Sequence, residues 1–114
     1  MSKYQLGEFE EIVLLTVAIL NGRTSPPGDA YGVAIIDEIE KRLKRKVSLG
    51  AMQTSLRRLE EKGLLKSEFG EATKVRGGKR KRFFNLTKLG KTALKEAKEQ
   101  RMGLWDAVPE FVLN

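Results

Sequence analysis

Nine residues in the second half of the chain, Lys74 to Arg82 (KVRGGKRKR), carry six cations and no acid around the pair Gly77-Gly78. Two adjacent glycines let a chain reverse within two residues, and the stretches on either side read as short strands: Leu64 and Leu65 with KSEFGEA before, RFFNLT from Arg82 to Thr87 after. Phe84 and Leu86 fall on one face of the second strand and Phe83 on the other. Such a hairpin has an apolar root that must join a core and a charged tip that cannot be buried unpaired, so it has to project from whatever it is attached to.

The charge is as segregated as the hairpin suggests. Of a formal net charge of +7, residues 1 to 40 hold two Lys/Arg against seven Asp/Glu, residues 41 to 101 hold twenty against six, and residues 102 to 114 add two acids. One polyanion-facing surface explains this better than a uniformly basic protein does, and a duplex backbone supplies the matching counter-charge. Any single Lys or Arg taken alone reads equally well as a solvated surface residue.

The residue inventory excludes most chemistry. With no His and no Cys there is no imidazole base, thiolate nucleophile or soft metal ligand, so we expect no catalytic site, no metal and no cofactor. Asp37, Glu38 and Glu40 sit four residues before Lys41, Arg42 and Lys44, the spacing of surface ion pairs on a helix. Gly77 and Gly78 precede a strand-like stretch and no GK[ST] ending follows, which rules out a nucleotide loop. The longest apolar stretch, Ile12 to Leu20 interrupted by Thr16, falls well short of the roughly 20 residues that cross a bilayer. The start, MSKYQLGEFEE, lacks the parts of a signal peptide, and we expect a cytoplasmic protein without membrane association.

Periodicity gives the order helix, helix, helix, hairpin, helix. The first helix, about Gly7 to Leu20, is nearly all apolar after Glu11 and calls for burial on several sides. NGRTSPPG, Asn21 to Gly28, cannot continue it; we assign no purpose to the polar loop Arg23 to Asp29. A second helix runs from about Tyr31 to Arg45 on a stripe of Ile35, Ile36, Ile39 and Leu43. The third starts at the N-cap Ser48 and stops at Gly63, with Leu49, Met52, Leu56 and Leu59 on its inner face. Gly50, Ala51, Thr54, Arg57, Arg58 and Glu61 are left pointing outward, with Gln53 and Ser55 on the flanks. Small residues there allow close approach to base edges, the helix N-terminus favours a phosphate, and Gln53, Thr54 and the arginines have the hydrogen-bonding groups that read bases or hold the backbone. An ordinary amphipathic helix with a polar outer face has the same pattern.

Three helices followed by a basic hairpin form the winged helix-turn-helix arrangement, mainly α with a β-hairpin wing. In it the recognition helix, Ser48 to Lys62, enters a major groove of double-stranded DNA, and the wing, Thr73 to Arg82, lies along the neighbouring backbone or minor groove. The expected DNA-binding residues are Ser48, Gly50, Ala51, Gln53, Thr54, Arg57 and Arg58 from the helix and Lys74, Arg76, Lys79, Arg80, Lys81 and Arg82 from the wing.

The strings LGEFEEIVLLTVAIL, YGVAIIDEIEKR, VSLGAMQTSLRRLEEKGLL and GGKRKRFFNLTKLGKTAL together resemble the PadR family of bacterial transcription regulators over about residues 6 to 95. LRRLEEKGLL is shared by several winged-helix families; its union with the other three is much more specific. The resemblance implies a homodimeric repressor on an inverted-repeat operator, in some members released from DNA by a small molecule. Two features depart from the family pattern. Gln53 stands where members often carry a tyrosine, and the chain ends at Asn114 after roughly one further helix, as in the short subgroup.

That last helix begins near the N-cap Thr87 and carries Leu89, Ala93, Leu94, Ala97, Leu104, Trp105 and Val108 as an interrupted apolar stripe before Pro109. We therefore expect residues 1–86 to form the DNA-binding part and residues 87–114 a C-terminal dimerisation helix that buries its stripe against the first helix of a second protomer, all within one compact domain. Trp105 reads as an interface anchor or, by the resemblance, as the wall of a site for a small hydrophobic or aromatic effector, with Tyr4 and Phe9 as neighbours. The expected function is that of a sequence-specific regulator, a repressor by the resemblance. An architectural protein that coats DNA without reading it and a winged-helix module that binds proteins stay open.

Overall fold

The computed structural model describes residues 5–23, 30–70 and 81–114. Its elements follow in the expected order: α1 Glu8–Asn21, α2 Gly32–Leu43, α3 Leu49–Glu61, β1 Leu65–Phe69, β2 Arg82–Leu86, α4 Lys88–Ala107 and a 3₁₀ turn at Glu110–Val112. Three acids in the first turn of α1 face the positive end of its dipole, and the Glu10 carboxylate accepts from the Gly7 amide at 3.2 Å. Ser48 and Thr87 cap α3 and α4 as expected, accepting from the amides of Ala51 at 3.1 Å and Gly90 at 2.9 Å. At the end of α3, Gly63 takes φ +79°, its amide donates to Glu60 O and that of Leu64 to Leu59 O, so the chain turns sharply into β1.

One core joins the pieces. Val13, Leu14 and Val17 of α1, Ile35 and Ile39 of α2, and Met52, Leu56 and Leu59 of α3 enclose Leu64, Leu65 and Phe84 from the root of the hairpin. β1 and β2 pair antiparallel with Ser67 opposite Phe84 and Phe69 opposite Arg82. A short bridge from Tyr31 to Phe83 extends this ladder on the far side of β2, where Phe84 N donates to Ala30 O at 2.8 Å. Sequence periodicity puts Tyr31 at a helix start and gives no sign of the bridge.

Asn21, which the sequence places at the head of a loop, is the last residue of α1 and grips β2. Its side-chain amide donates to Phe84 O at 3.0 Å and its Oδ1 accepts from Leu86 N at 3.0 Å. Asn21→Ala should strand both backbone groups in a partly buried place, at a cost of about 1–3 kcal/mol read as a lowered urea midpoint.

Three sequence expectations need correction. Leu49 is half exposed, because it lies at the edge of an open cleft beside Tyr31 and Val33; Met52, Ser55, Leu56 and Leu59 make up the buried face of α3. Of the three ion pairs expected along α2, only Glu38 with Arg42 closes among the described residues, while Glu40 accepts instead from the Val47 amide at 2.9 Å. Glu38 is also buried rather than on the surface, held from the other side by Arg23 at 3.0 and 3.1 Å.

α4 leaves the body of the protein. Its only buried residues are Gly90 and Ala93, every residue from 101 onward is exposed, and the molecule measures 58 × 29 × 25 Å.

Candidate nucleic-acid interface

α2 and α3 are joined by a tight turn at residues 44–48. Lys44 takes the left-handed conformation, with φ 54°, and the Glu40 carboxylate ties down Val47. That turn sets the crossing of the two helices and leaves the outer side of α3 clear. Ser48, Gly50, Ala51, Gln53, Arg57 and Arg58 are exposed there and Thr54 is half-buried. A Cβ added at Gly50 would meet nothing within 4 Å, so a large surface can come close to this end of the helix. Arg57 is shared loosely with Glu61 at 3.8 Å, both side chains well exposed, an interaction that is weak in water and yields readily to a phosphate.

Between α3 and the hairpin lies an open cleft of about 710 Å³ lined by Tyr31, Val33, Leu49, Gln53, Arg57 and Lys81 among others. Lys81 holds its ammonium 4.2 Å from the centre of the Tyr31 ring, which in turn meets Phe83 edge to face at 5.7 Å. Arg82 is arranged differently: its guanidinium donates to Ser67 Oγ at 2.8 Å and to Glu60 Oε1 at 3.1 Å. Lys74, Arg76, Lys79 and Arg80, with the turn at Gly77-Gly78 and Thr73, lie outside the described residues. Sequence reasoning missed Tyr31, Val33 and Glu60 at this cleft. Tyr31 and Val33 head α2 and Glu60 lies near the end of α3, and no period links the two places, so only the packing of the helices against the hairpin could have brought them out.

A second, mostly apolar concavity of about 340 Å³ separates α1 from α4, lined by Leu15, Leu94, Met102 and Trp105 with Lys95 and Lys98 at its edge. Across it Arg101 reaches Glu11 at 2.6 Å. Phe9 is not part of this groove: it packs under the Arg45 guanidinium, 5.4 Å away, beside the turn between α2 and α3. Tyr4 lies outside the described residues.

Two carboxyls near this framework are shifted. Burial raises the Glu10 carboxyl, but the Lys62 ammonium at 2.9 Å and the Gly7 amide outweigh it and the pKa falls below 4.5. Arg23 and then Arg42 lower that of Glu38. Both groups therefore stabilise the fold fully above the ordinary glutamate pKa, and that stability is lost as pH falls through the depressed folded values. Glu38→Gln should lower the melting temperature at pH 7, and the gap from wild type should close as pH is taken down from about 4.5.

A helix-turn-helix with a basic hairpin at its side defines a winged-helix DNA-binding protein. The model of the transcriptional regulator PadR-like family matches residues 25–96, well over half the chain, and the protein belongs to that family. It is thus a DNA-binding transcription regulator and not an enzyme. Among solved structures, a PadR family transcription regulator from hypervirulent Clostridium difficile is 29% identical, with TM-score 0.66 over 89% of this chain and 97% of that one. A PadR family regulator from Eggerthella lenta is 25% identical, with TM-score 0.62 over 90% and 84%. The PadR-like regulator of Bacillus cereus, 17% identical, shares the fold at TM-score 0.67 over 90% and 92%. No curated protein matches the chain. Among the described residues no helix is long and apolar enough to cross a membrane.

Proposed function

We propose that the protein is a cytoplasmic repressor that binds an inverted-repeat operator as a homodimer. The observation that carries the DNA reading is the exposed side of α3, where small residues at the N-terminal end give way to Arg57, which lines a cleft that also holds Lys81, and to the exposed Arg58 next to it in the chain. Ser48, Gly50, Ala51, Gln53 and Thr54 face base edges and the nearest phosphate, and Arg57 and Arg58 take a guanine or the backbone. Lys74, Arg76, Lys79, Arg80 and Lys81 of the wing neutralise phosphates regardless of sequence.

Residues 1–86 serve as the DNA-binding part and residues 87–114 as the dimerisation helix. Leu104, Trp105, Phe111 and Leu113 are each more than 60% exposed on one terminal segment, an apolar surface that a second copy would cover. Two-fold symmetry then puts the recognition helices about 34–36 Å apart, one turn of the duplex. The groove at Trp105 accepts a small hydrophobic or aromatic effector between protomers, and its occupation changes DNA affinity by shifting that spacing.

The test is fluorescence anisotropy at near-physiological salt, with a duplex from upstream of the protein's own coding sequence and a scrambled duplex of equal composition, beside sedimentation analysis of the free protein. A preference of about a thousandfold or more, with a dimer in solution, is the expected outcome. Equal binding to both duplexes would point to an architectural protein or an operator elsewhere, and no binding to a protein-interaction module.

A further inference from the structure

Both oxygens of the Glu60 carboxylate are taken up by the root of the hairpin. Oε2 accepts from the Ser67 hydroxyl at 2.6 Å and Oε1 from Arg82 at 3.1 Å, while Arg82 Nε donates to the same Ser67 Oγ at 2.8 Å. Three side chains, one each from α3, β1 and β2, thereby close a ring in which the serine both donates and accepts. The pairing of Ser67 with Phe84 and of Phe69 with Arg82 puts Ser67 and Arg82 at diagonal positions on one face of the ladder, which is how a strand residue reaches a helix 22 positions earlier. The guanidinium also lies 5.5 Å from the Phe69 ring and 5.8 Å from that of Phe84. Glu60 and Arg82 line the same cleft as Gln53, Arg57 and Lys81.

We infer that Arg82 is a positioning residue: with Glu60 and Ser67 it sets the angle of the wing against the recognition helix, and so the preference for a sequence on which both can make contact at once. The inference rests on the DNA-binding reading above. Apolar packing of Leu65 and Phe84, the Asn21 bonds to Phe84 and Leu86 and the Ala30 bond to Phe84 hold the inner end of the ladder. Ser67 and Arg82 lie towards its outer end, where a two-stranded ribbon can still pitch about that anchor. A planar guanidinium donating to two fixed oxygens is directional and removes that freedom. Pre-organising two binding surfaces strengthens the complex that needs both and does little for one that needs only charge.

Simple electrostatics and positioning make opposite forecasts for Glu60→Gln. Loss of an anion beside the interface should strengthen binding to every duplex, whereas a loosened wing should weaken binding to a preferred one. The probe is a duplex selected from a random library by the wild-type protein, with its scrambled counterpart, each variant first checked by thermal unfolding. Glu60→Gln, Ser67→Ala and Arg82→Lys are each expected to reduce the selected-over-scrambled preference about tenfold with the salt slope unchanged. Arg82→Lys behaving as wild type while Arg82→Gln lowers the salt slope by about 1 would make Arg82 a phosphate ligand and overturn the inference, as would tighter binding of both duplexes by Glu60→Gln.

If the wild-type protein selects no sequence, the regulator reading fails on its own, and the ring is then judged without DNA. The chain has no cysteine, so spin labels at Glu61→Cys and Glu68→Cys report the distance between α3 and β1. A distribution broadened by Glu60→Gln and Ser67→Ala supports positioning, and an unchanged one overturns it.

Discussion

Replacing Lys79, Arg80 and Lys81 together by glutamine should weaken binding to operator and scrambled duplex alike, and flatten the fall of log K with log salt by about 1 for each phosphate that is no longer neutralised. Arg57→Ala and Arg58→Ala should instead weaken operator binding by about 1–3 kcal/mol each where the guanidinium reads a base. The two sets separate because phosphate charge is the same at every step of a duplex while the pattern of donors and acceptors in the major groove is not. Anisotropy titrations of both duplexes at several salt concentrations supply all the numbers. Wing variants that keep the wild-type salt slope would remove the wing from the interface.

Gly90→Ala should be among the most damaging single-atom additions this chain can receive. A Cβ at Gly90 would lie 2.2 Å from the Leu64 carbonyl oxygen and 3.2 Å from its carbon. Neither is the end of a flexible side chain. Leu64 O accepts from Thr87 N at 3.2 Å and Thr87 Oγ1 donates to Gly63 O at 2.6 Å, so the start of α4 is stitched to the end of α3 and cannot simply slide away. The expected loss is about 3 kcal/mol or more, beyond the usual range for overpacking a core because backbone must move, with the melting temperature falling about 4 °C for each kcal/mol. Gly90→Val should prevent α4 from docking. Gly50→Ala, where the new methyl meets nothing within 4 Å, should raise stability by up to about 1 kcal/mol through helix propensity. The same chemical change thus has opposite signs at two helical glycines, and differential scanning calorimetry of the pair decides it.

Much of the fold is legible in the sequence because its signals are local. Ser48 and Thr87 stand out as caps by residue type and position, and the helices by the spacing of apolar residues; both are decided within one or two turns of chain. The corrections sit where locality ends. Leu49 has the right spacing to be buried and lines the open cleft instead. Glu38 has the right spacing for a surface pair with Arg42, and is buried because Arg23, fifteen residues earlier, folds over it from the other side. Asn21 reads as the start of a loop, since nothing near it in the chain shows that β2 passes beside it.

The candidate interface divides in the same way. The sequence by itself determined which side of α3 is basic and that the hairpin is cationic, because charge and periodicity are properties of residue order. It could not say what each cation faces. Arg82 is one of six cations in a row of nine and looks like the rest; only the ladder register, by setting Ser67 and Arg82 diagonally across one face and Glu60 below them, gives it two acceptors within the protein. Tertiary structure decided this because a hydrogen bond is made at about 3 Å and depends on angle, and placing three atoms from positions 60, 67 and 82 within that reach takes the whole packed core beneath them.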